Sequence, residues 1–138
     1  MVLVIAGIAL GLISLNAMPG ERQALQREGQ RLALLLQLAR DEAIVRNRPV
    51  AFEAEADRYR FLLYDERQWR VMARDELLRE RAFDHAPLVL TLAPAAASAP
   101  LRIVFGREPV DRPFVLTLSS GAASVAIRAD GVGRFSVE

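Results

Sequence analysis

The first eighteen residues, MVLVIAGIALGLISLNAM, carry no charge, and only Ser14 and Asn16 have polar side chains. Pro19-Gly20 closes the run. Nothing else constrains the chain as strongly, because a helix that is apolar all round must be covered on every side by protein or by lipid. At a rise of about 1.5 Å per residue such a helix is about 27 Å long, close to the roughly 30 Å of a bilayer's hydrocarbon core. A signal peptide fits poorly, since no basic stretch comes first and Ala17-Met18-Pro19 is a weak cleavage site. A buried helix of a soluble domain fits poorly too, because the remaining 120 of 138 residues could hardly surround it. Residues 1–18 therefore read as a membrane or partner-helix segment, with Val2, Leu3, Val4, Ile5, Ile8, Leu10, Leu12, Ile13 and Leu15 as its contact surface.

With that segment set aside, what is left is long enough for one modest core and no second domain. The 52% apolar content is raised by the opening, and the remainder has the balance of an ordinary soluble domain. Eighteen basic and seventeen acidic residues leave a formal charge of +1, which gives no global field to attract nucleic acid or anionic lipid. All the basic residues are Arg, a mark of a GC-rich coding sequence rather than of bidentate recognition at every site. The absence of cysteine excludes disulfides, thiolate metal sites and a Cys nucleophile.

From Glu21 to Arg46 there is no proline, and Leu, Ala, Gln, Arg and Glu dominate, which predicts one helix, continuing the opening segment through a kink at Pro19-Gly20. Leu25, Leu32, Leu35, Leu36, Ala39 and Ala43 gather into one stripe that should cover the core, while Arg22, Gln23, Gln26, Gln30, Gln37, Arg40 and Asp41 lie away from it. Leu34, Leu38 and Val45 form a second, narrower row. It reads either as ordinary scattered exposure or as a contact for a neighbouring subunit's helix. Asn47-Arg48-Pro49 should end the helix.

Period-2 alternation follows. Val50, Phe52 and Ala54 share one face, then Tyr59, Phe61 and Leu63, then Trp69 and Val71, which predicts a three-stranded antiparallel meander with one buried side under the helix. Glu53 and Glu55 fall on its other, solvent side. Ala73 to Phe83 fits either a short helix or an irregular connection. Strands are expected at Leu88–Leu92, Leu101–Phe105, Phe114–Ser119, Ser124–Arg128 and Arg134–Val137, with loops at Ala93–Pro100 and Gly106–Pro113 and turns at Ser120-Gly121 and Asp130-Gly131. A long helix followed by six or seven short strands is an α+β architecture.

Chemistry is sparse. His85 is the only histidine, and Asp84-His85 beside Pro87 reads as a loop rather than as a base. Ser119-Ser120-Gly121 lacks the nucleophile elbow of hydrolases, and Gly131-Val132-Gly133 lacks the context of a phosphate loop. Neither a catalytic residue, a metal nor a cofactor is expected. Arg58, Arg60, Arg67, Arg70 and Arg74, interleaved with Tyr59, Tyr64 and Trp69, would suit single-stranded nucleic acid. Tyr59, Phe61 and Trp69 are expected in the core, however, and Glu53, Glu55, Asp57, Asp65 and Glu66 stand nearby to neutralise the arginines, so nucleic acid is not an expected partner.

The order of an apolar helix, an amphipathic helix and a small β domain is that of type IV pilins and pseudopilins. The run RLALLLQLARDEAIVRNRPVAFEAEADRYRFLLYDERQW, Arg31 to Trp69, closely resembles minor pseudopilin H of type II secretion systems. The marks are Ala39, Arg40, Glu42 and Ala43 at the helix end, a break at Pro49, the Tyr59-x-Phe61 strand and the closing Asp130-Gly131-x-Gly133 turn. That family's precursors begin with a basic leader and a cleavage motif ahead of an apolar run like Val2 to Leu12, and this chain starts inside that run, so the resemblance implies that Met1 is an internal methionine of a longer anchor, the alternative being a chain that is not processed and assembled normally.

The resemblance implies a pilin-like fold in three parts: a membrane and filament-core helix over 1–18, an amphipathic helix over 19–46 and a periplasmic antiparallel β domain over 47–138. It implies a non-enzymatic subunit anchored in the inner membrane and assembled at or near the tip of the pseudopilus that drives export of folded proteins. The implied partners are the other minor pseudopilins, the major pseudopilin, the inner membrane and the exported proteins. Leu34, Leu38 and Val45 are then the candidate subunit interface. A minor pilin of a type IV pilus, serving adhesion, motility or DNA uptake, is the alternative.

Overall fold

A computed structural model of the chain describes residues 19–84, 87–94 and 100–138. The apolar opening and His85 lie outside the described residues. Helix α1 runs from Pro19 to Arg46. Its end is built by Asn47, which takes a positive φ of 55° and donates its N–H to the Ile44 carbonyl, while Arg48 donates to Ala43. These two bonds satisfy the last helical carbonyls in the pattern that a left-handed residue after a helix allows, before Pro49 prevents continuation.

Nine strands follow among the described residues: β1 (Val50–Ala54), β2 (Arg58–Asp65), β3 (Gln68–Val71), β4 (Arg81–Ala82), β5 (Val89–Ala93), β6 (Leu101–Phe105), β7 (Phe114–Ser120), β8 (Ala123–Ala129) and β9 (Phe135–Val137). The count exceeds six or seven because pieces as short as the two-residue β4 pair with a neighbour. All pairings are antiparallel. The first sheet has the order β3-β2-β1-β6, with β4 also on β2, and the second has the order β5-β7-β8-β9. The meander is therefore present but is extended by a later strand, β6, that returns to the free edge of β1.

The helix packs across both sheets. All six residues of the predicted stripe are buried, and Gly29 and Ala33 complete that face. A Cβ at position 29 would lie 3.1 Å from Val125 Cγ1, so glycine lets α1 approach β8 closely. On the first sheet, Phe52 stands opposite Phe61 and Ile103, and Ala54 opposite Tyr59, all turned toward the helix. Phe105 meets Phe114 and Phe135 of the second sheet at centroid distances of 6.3 Å, which joins the two sheets in one core.

Three expectations need correction. Trp69 does not enter this core: it pairs with Tyr64 in register, on the sheet face away from the helix, and the two rings meet edge-on at 5.1 Å. Glu53 is not solvated but 5% exposed, because Arg60 and Arg102 stand beside it on adjacent strands. Arg40, which falls outside the apolar stripe, is nevertheless largely buried, because loops arriving much later in the chain close over it. Period 2 assigns a residue to a face but does not say what will cover that face.

Candidate functional site

The outward side of α1 presents Leu34 at 69% and Val45 at 79% exposure. Leu38, the third member of that row, is half-buried and touches the edge of the core. Around them the exposed helix positions mix uncharged Gln23, Gln26, Gln30 and Gln37 with charged Arg22, Arg27, Asp41 and Arg46. The row is thus a shallow apolar track set among polar and charged positions, an exposed apolar surface that another helix can cover.

Two groups hold the helix to the rest. Glu28, buried at 4% exposure, accepts the backbone N–H of Asp84 at 2.8 Å and the guanidinium of Arg31. Burial works against the charge on Arg31, but Glu28, Tyr59 and Asp84 together more than offset it and raise its pKa. The neighbouring Tyr59 hydroxyl, which has no hydrogen-bond partner among the described residues, is pushed above the usual phenol range chiefly by burial. Asp84, considered as the orienter of a base, serves here through its backbone and a 3.6 Å pair with Arg31. Nearer the helix end, Arg40 reaches the Pro109 carbonyl and packs against Gly133.

The Asp130-Gly131-Val132-Gly133 turn is organised by the Asp130 carboxylate, which accepts the N–H groups of Val132 and Arg134 and is thereby held below the ordinary carboxylate range. Gly131 and Gly133 have φ of 86° and 107°, conformations that L side chains rarely adopt. Asp111 donates its N–H to the Gly131 carbonyl and caps Gly106 N with its carboxylate, so the 106–113 loop and this turn form one unit under Arg40.

On the outer face of the first sheet, Arg60 bonds one Glu53 oxygen through Nε and Nη2, and Arg102 bonds the other the same way. Burial alone would raise the Glu53 pKa, but the hydrogen bonds from Arg102 and Arg60, with their charges, bring it below the usual carboxylate value. The arginines singled out for nucleic acid are mostly engaged: Arg60 by Glu53, Arg70 by Glu66, and Arg58 by Asp57 and Glu80. Tyr59 is fully buried and cannot stack on a base. Ser119 and Ser120 close the β7–β8 hairpin, with Gly121 at φ 58°. Among the described residues no group of three His, Cys, Asp or Glu could hold a metal ion, and no helix is long and apolar enough to cross a membrane.

One long helix laid over two antiparallel sheets is the architecture of the pilin-like class. The solved minor pseudopilin EpsH of the Vibrio cholerae type 2 secretion system matches with a TM-score of 0.67 at 15% identity, covering 85% of this chain and 97% of that one. The type IV minor pilin FimU of Pseudomonas aeruginosa matches with a TM-score of 0.62 at 18% identity over 86% and 90% of the two chains. A Pseudomonas aeruginosa protein named type II secretion system protein H is 33% identical over 134 residues, which is 89% of this chain and 73% of that protein. The profile of type II transport protein GspH matches residues 28–133, and the chain belongs to that family, the minor pseudopilin H family of type II secretion.

Proposed function

We propose that the chain is a structural subunit assembled at or near the tip of a periplasmic pseudopilus, anchored in the inner membrane by residues 1–18 with residues 47–138 in the periplasm. The observation that carries this reading is the outward track of α1: Leu34 and Val45 are exposed while the opposite helix face is fully used by the core. Anchor helices leaving a bilayer need a new apolar environment, and neighbouring subunits' helices supply one. The other minor pseudopilins and the major pseudopilin are the partners this assigns to Leu34, Leu38 and Val45. No catalytic step enters the role.

The test is Leu34→Glu, which changes a side chain the fold leaves exposed. The expected result is unchanged thermal stability with loss of co-purification with the other pseudopilins and loss of export. Retained co-purification would remove the track as the subunit contact. The likeness to FimU supports a second reading, a minor pilin of a type IV pilus. A gel-shift series against salt checks its DNA-uptake form: binding that weakens steeply with salt supports that form, and no binding removes it.

A further inference from the structure

The register places the outer face of the first sheet in rows. Val71, Leu62, Ala51 and Val104 stand side by side across β3, β2, β1 and β6. Arg60, Glu53 and Arg102 form the ionic row one pair further along. Trp69 belongs to β3 and Arg102 to β6, three strand spacings or about 14 Å apart across the sheet, and the register sets them a further four residues apart along the strands. Even so, the Arg102 guanidinium carbon is 5.5 Å from the centroid of the Trp69 ring. Both side chains therefore lie down across the sheet toward each other. Leu62 and Ala51 beneath them are 4% and 0% exposed, yet neither belongs to the core cluster on the helix side.

This small second core has an open rim. Tyr64 is 37% exposed, Val71 40% and Val104 48%, around a Trp69 that is itself half-buried. Trp, Tyr and Arg are the residue types that concentrate binding energy at protein interfaces, because they bring large rigid surface and directed donors together. The charge has a sign as well. Arg60 and Arg102 share the single Glu53 carboxylate, each using Nε and Nη2, so this row of three keeps one positive charge in excess, while exposed Glu55 stands one row further along, just past the end of β1, on the side away from the apolar rim. The guanidinium edges of the row border that rim.

We propose that this face docks a partner protein lying outside the helix-packed assembly, one that presents a carboxylate beside apolar side chains. The outward direction rests on the helix-packing role proposed above: the face is on the side of the sheet away from α1, so a filament held together through α1 leaves it free. The surplus guanidinium charge specifies the carboxylate, and Tyr64, Val71 and Val104 specify the apolar neighbours.

A photo-crosslinking amino acid at position 104 of the full chain, in secreting cells, reads the contact directly. It is combined with Val71, Val71→Glu or Val71→Lys, and thermal melts confirm that each variant folds. The expected result is an adduct to a protein that is not pilin-like. Its yield should fall about tenfold with Val71→Glu and be kept or raised with Val71→Lys, since only the acidic substitution repels a carboxylate. Adducts only to other pilin-like subunits, no adduct, or equal loss from Glu and Lys would each overturn the proposal. Adduct yield is scored independently of export, and Leu34→Glu is run beside it. If that variant keeps co-purification with the pseudopilins while the charge-signed adduct persists, the helix track fails and the docking face stands.

Discussion

Glu53→Gln removes one negative charge from the outer face of the first sheet while keeping the shape of the side chain. In the native protein this carboxylate accepts bonds from four donors, two on Arg60 and two on Arg102, and its side chain is only 6% exposed. A glutamine offers one acceptor oxygen, so one guanidinium keeps a neutral partner and the other faces an amide NH₂. Hydrogen bonds to a charged group are each worth about 1.5–3 kcal/mol. The guanidinium side chains are 41% and 34% exposed, so water takes back part of what is lost. The expected destabilisation at neutral pH is about 2 kcal/mol.

The pH dependence follows from the direction of the shift. Burial raises the Glu53 pKa, but the Arg102 and Arg60 hydrogen bonds and charges lower it further, leaving the folded value below the unfolded one. A depressed carboxylate contributes stability that is fully present above its unfolded pKa, about 4.3, and is lost as pH falls through the folded value. The difference between the native chain and Glu53→Gln should therefore be full near pH 7 and shrink steadily below about pH 4. Urea titrations in detergent, followed by fluorescence of Trp69, measure it with a probe that sits 5.5 Å from Arg102. Equal stabilities at pH 7, or a difference that does not change with pH, would refute the ionic account and leave Glu53 as a packing residue.

Other perturbations test the remaining joints. Leu78, fully buried in the 73–84 segment and preceded by an Asp75 cap on its N–H, should cost about 3 kcal/mol when changed to Ala, read as a lower urea midpoint with an unchanged slope. Gly131→Ala would place a Cβ against the Asp111 carbonyl at a φ of 86°, and a loss of about 2 kcal/mol or more is expected by thermal melt. The β2–β3 hairpin turns on Glu66 and Arg67, both at positive φ without being glycine. Replacing them by Asn-Gly should raise stability by about 1–2 kcal/mol and Tm by about 4 °C per kcal/mol.

Much of the fold was legible because it rests on period. The six-residue helix stripe is buried as its 100° spacing requires, and β1, β2 and β3 fall where alternation puts them, whereas the short β4 lies in a segment whose pattern gave no strand. What period could not reach was the identity of the cover. Alternation assigns Glu53 and Trp69 to one side of their strands. Only the return of β6, after about thirty residues of intervening chain, brings Arg102 over Glu53 and beside Trp69 and makes that side partly dry. The helix gave no sign that Glu28 is buried either, since its partner Asp84 N–H lies 56 residues away. Exposure of Leu34 and Val45 was readable as a second row, but exposure alone does not say what covers it.

The family marks in the sequence acquire a physical reason in the same way. Ala39-Arg40-x-Glu42-Ala43 and Asp130-Gly131-x-Gly133 stand far apart in the chain and look like separate signatures. In the fold they meet. Ala39 and Ala43 are fully buried against the sheets, so the helix turn that carries Arg40 sits close to the β layer. Arg40 can then reach the Pro109 carbonyl and cover Gly133, where a Cβ would stand 3.0 Å from its Nη1. Gly131 closes against Asp111, whose carboxylate fixes the start of the same loop at Gly106. One guanidinium thus ties the helix to two loops of the β domain. If so, Arg40→Ala should weaken the hold on both loops together: amide exchange at Asp111 and at Val132 should accelerate by similar factors while Leu36 and Phe52 stay protected. Faster exchange at only one loop would show that the two marks are independent.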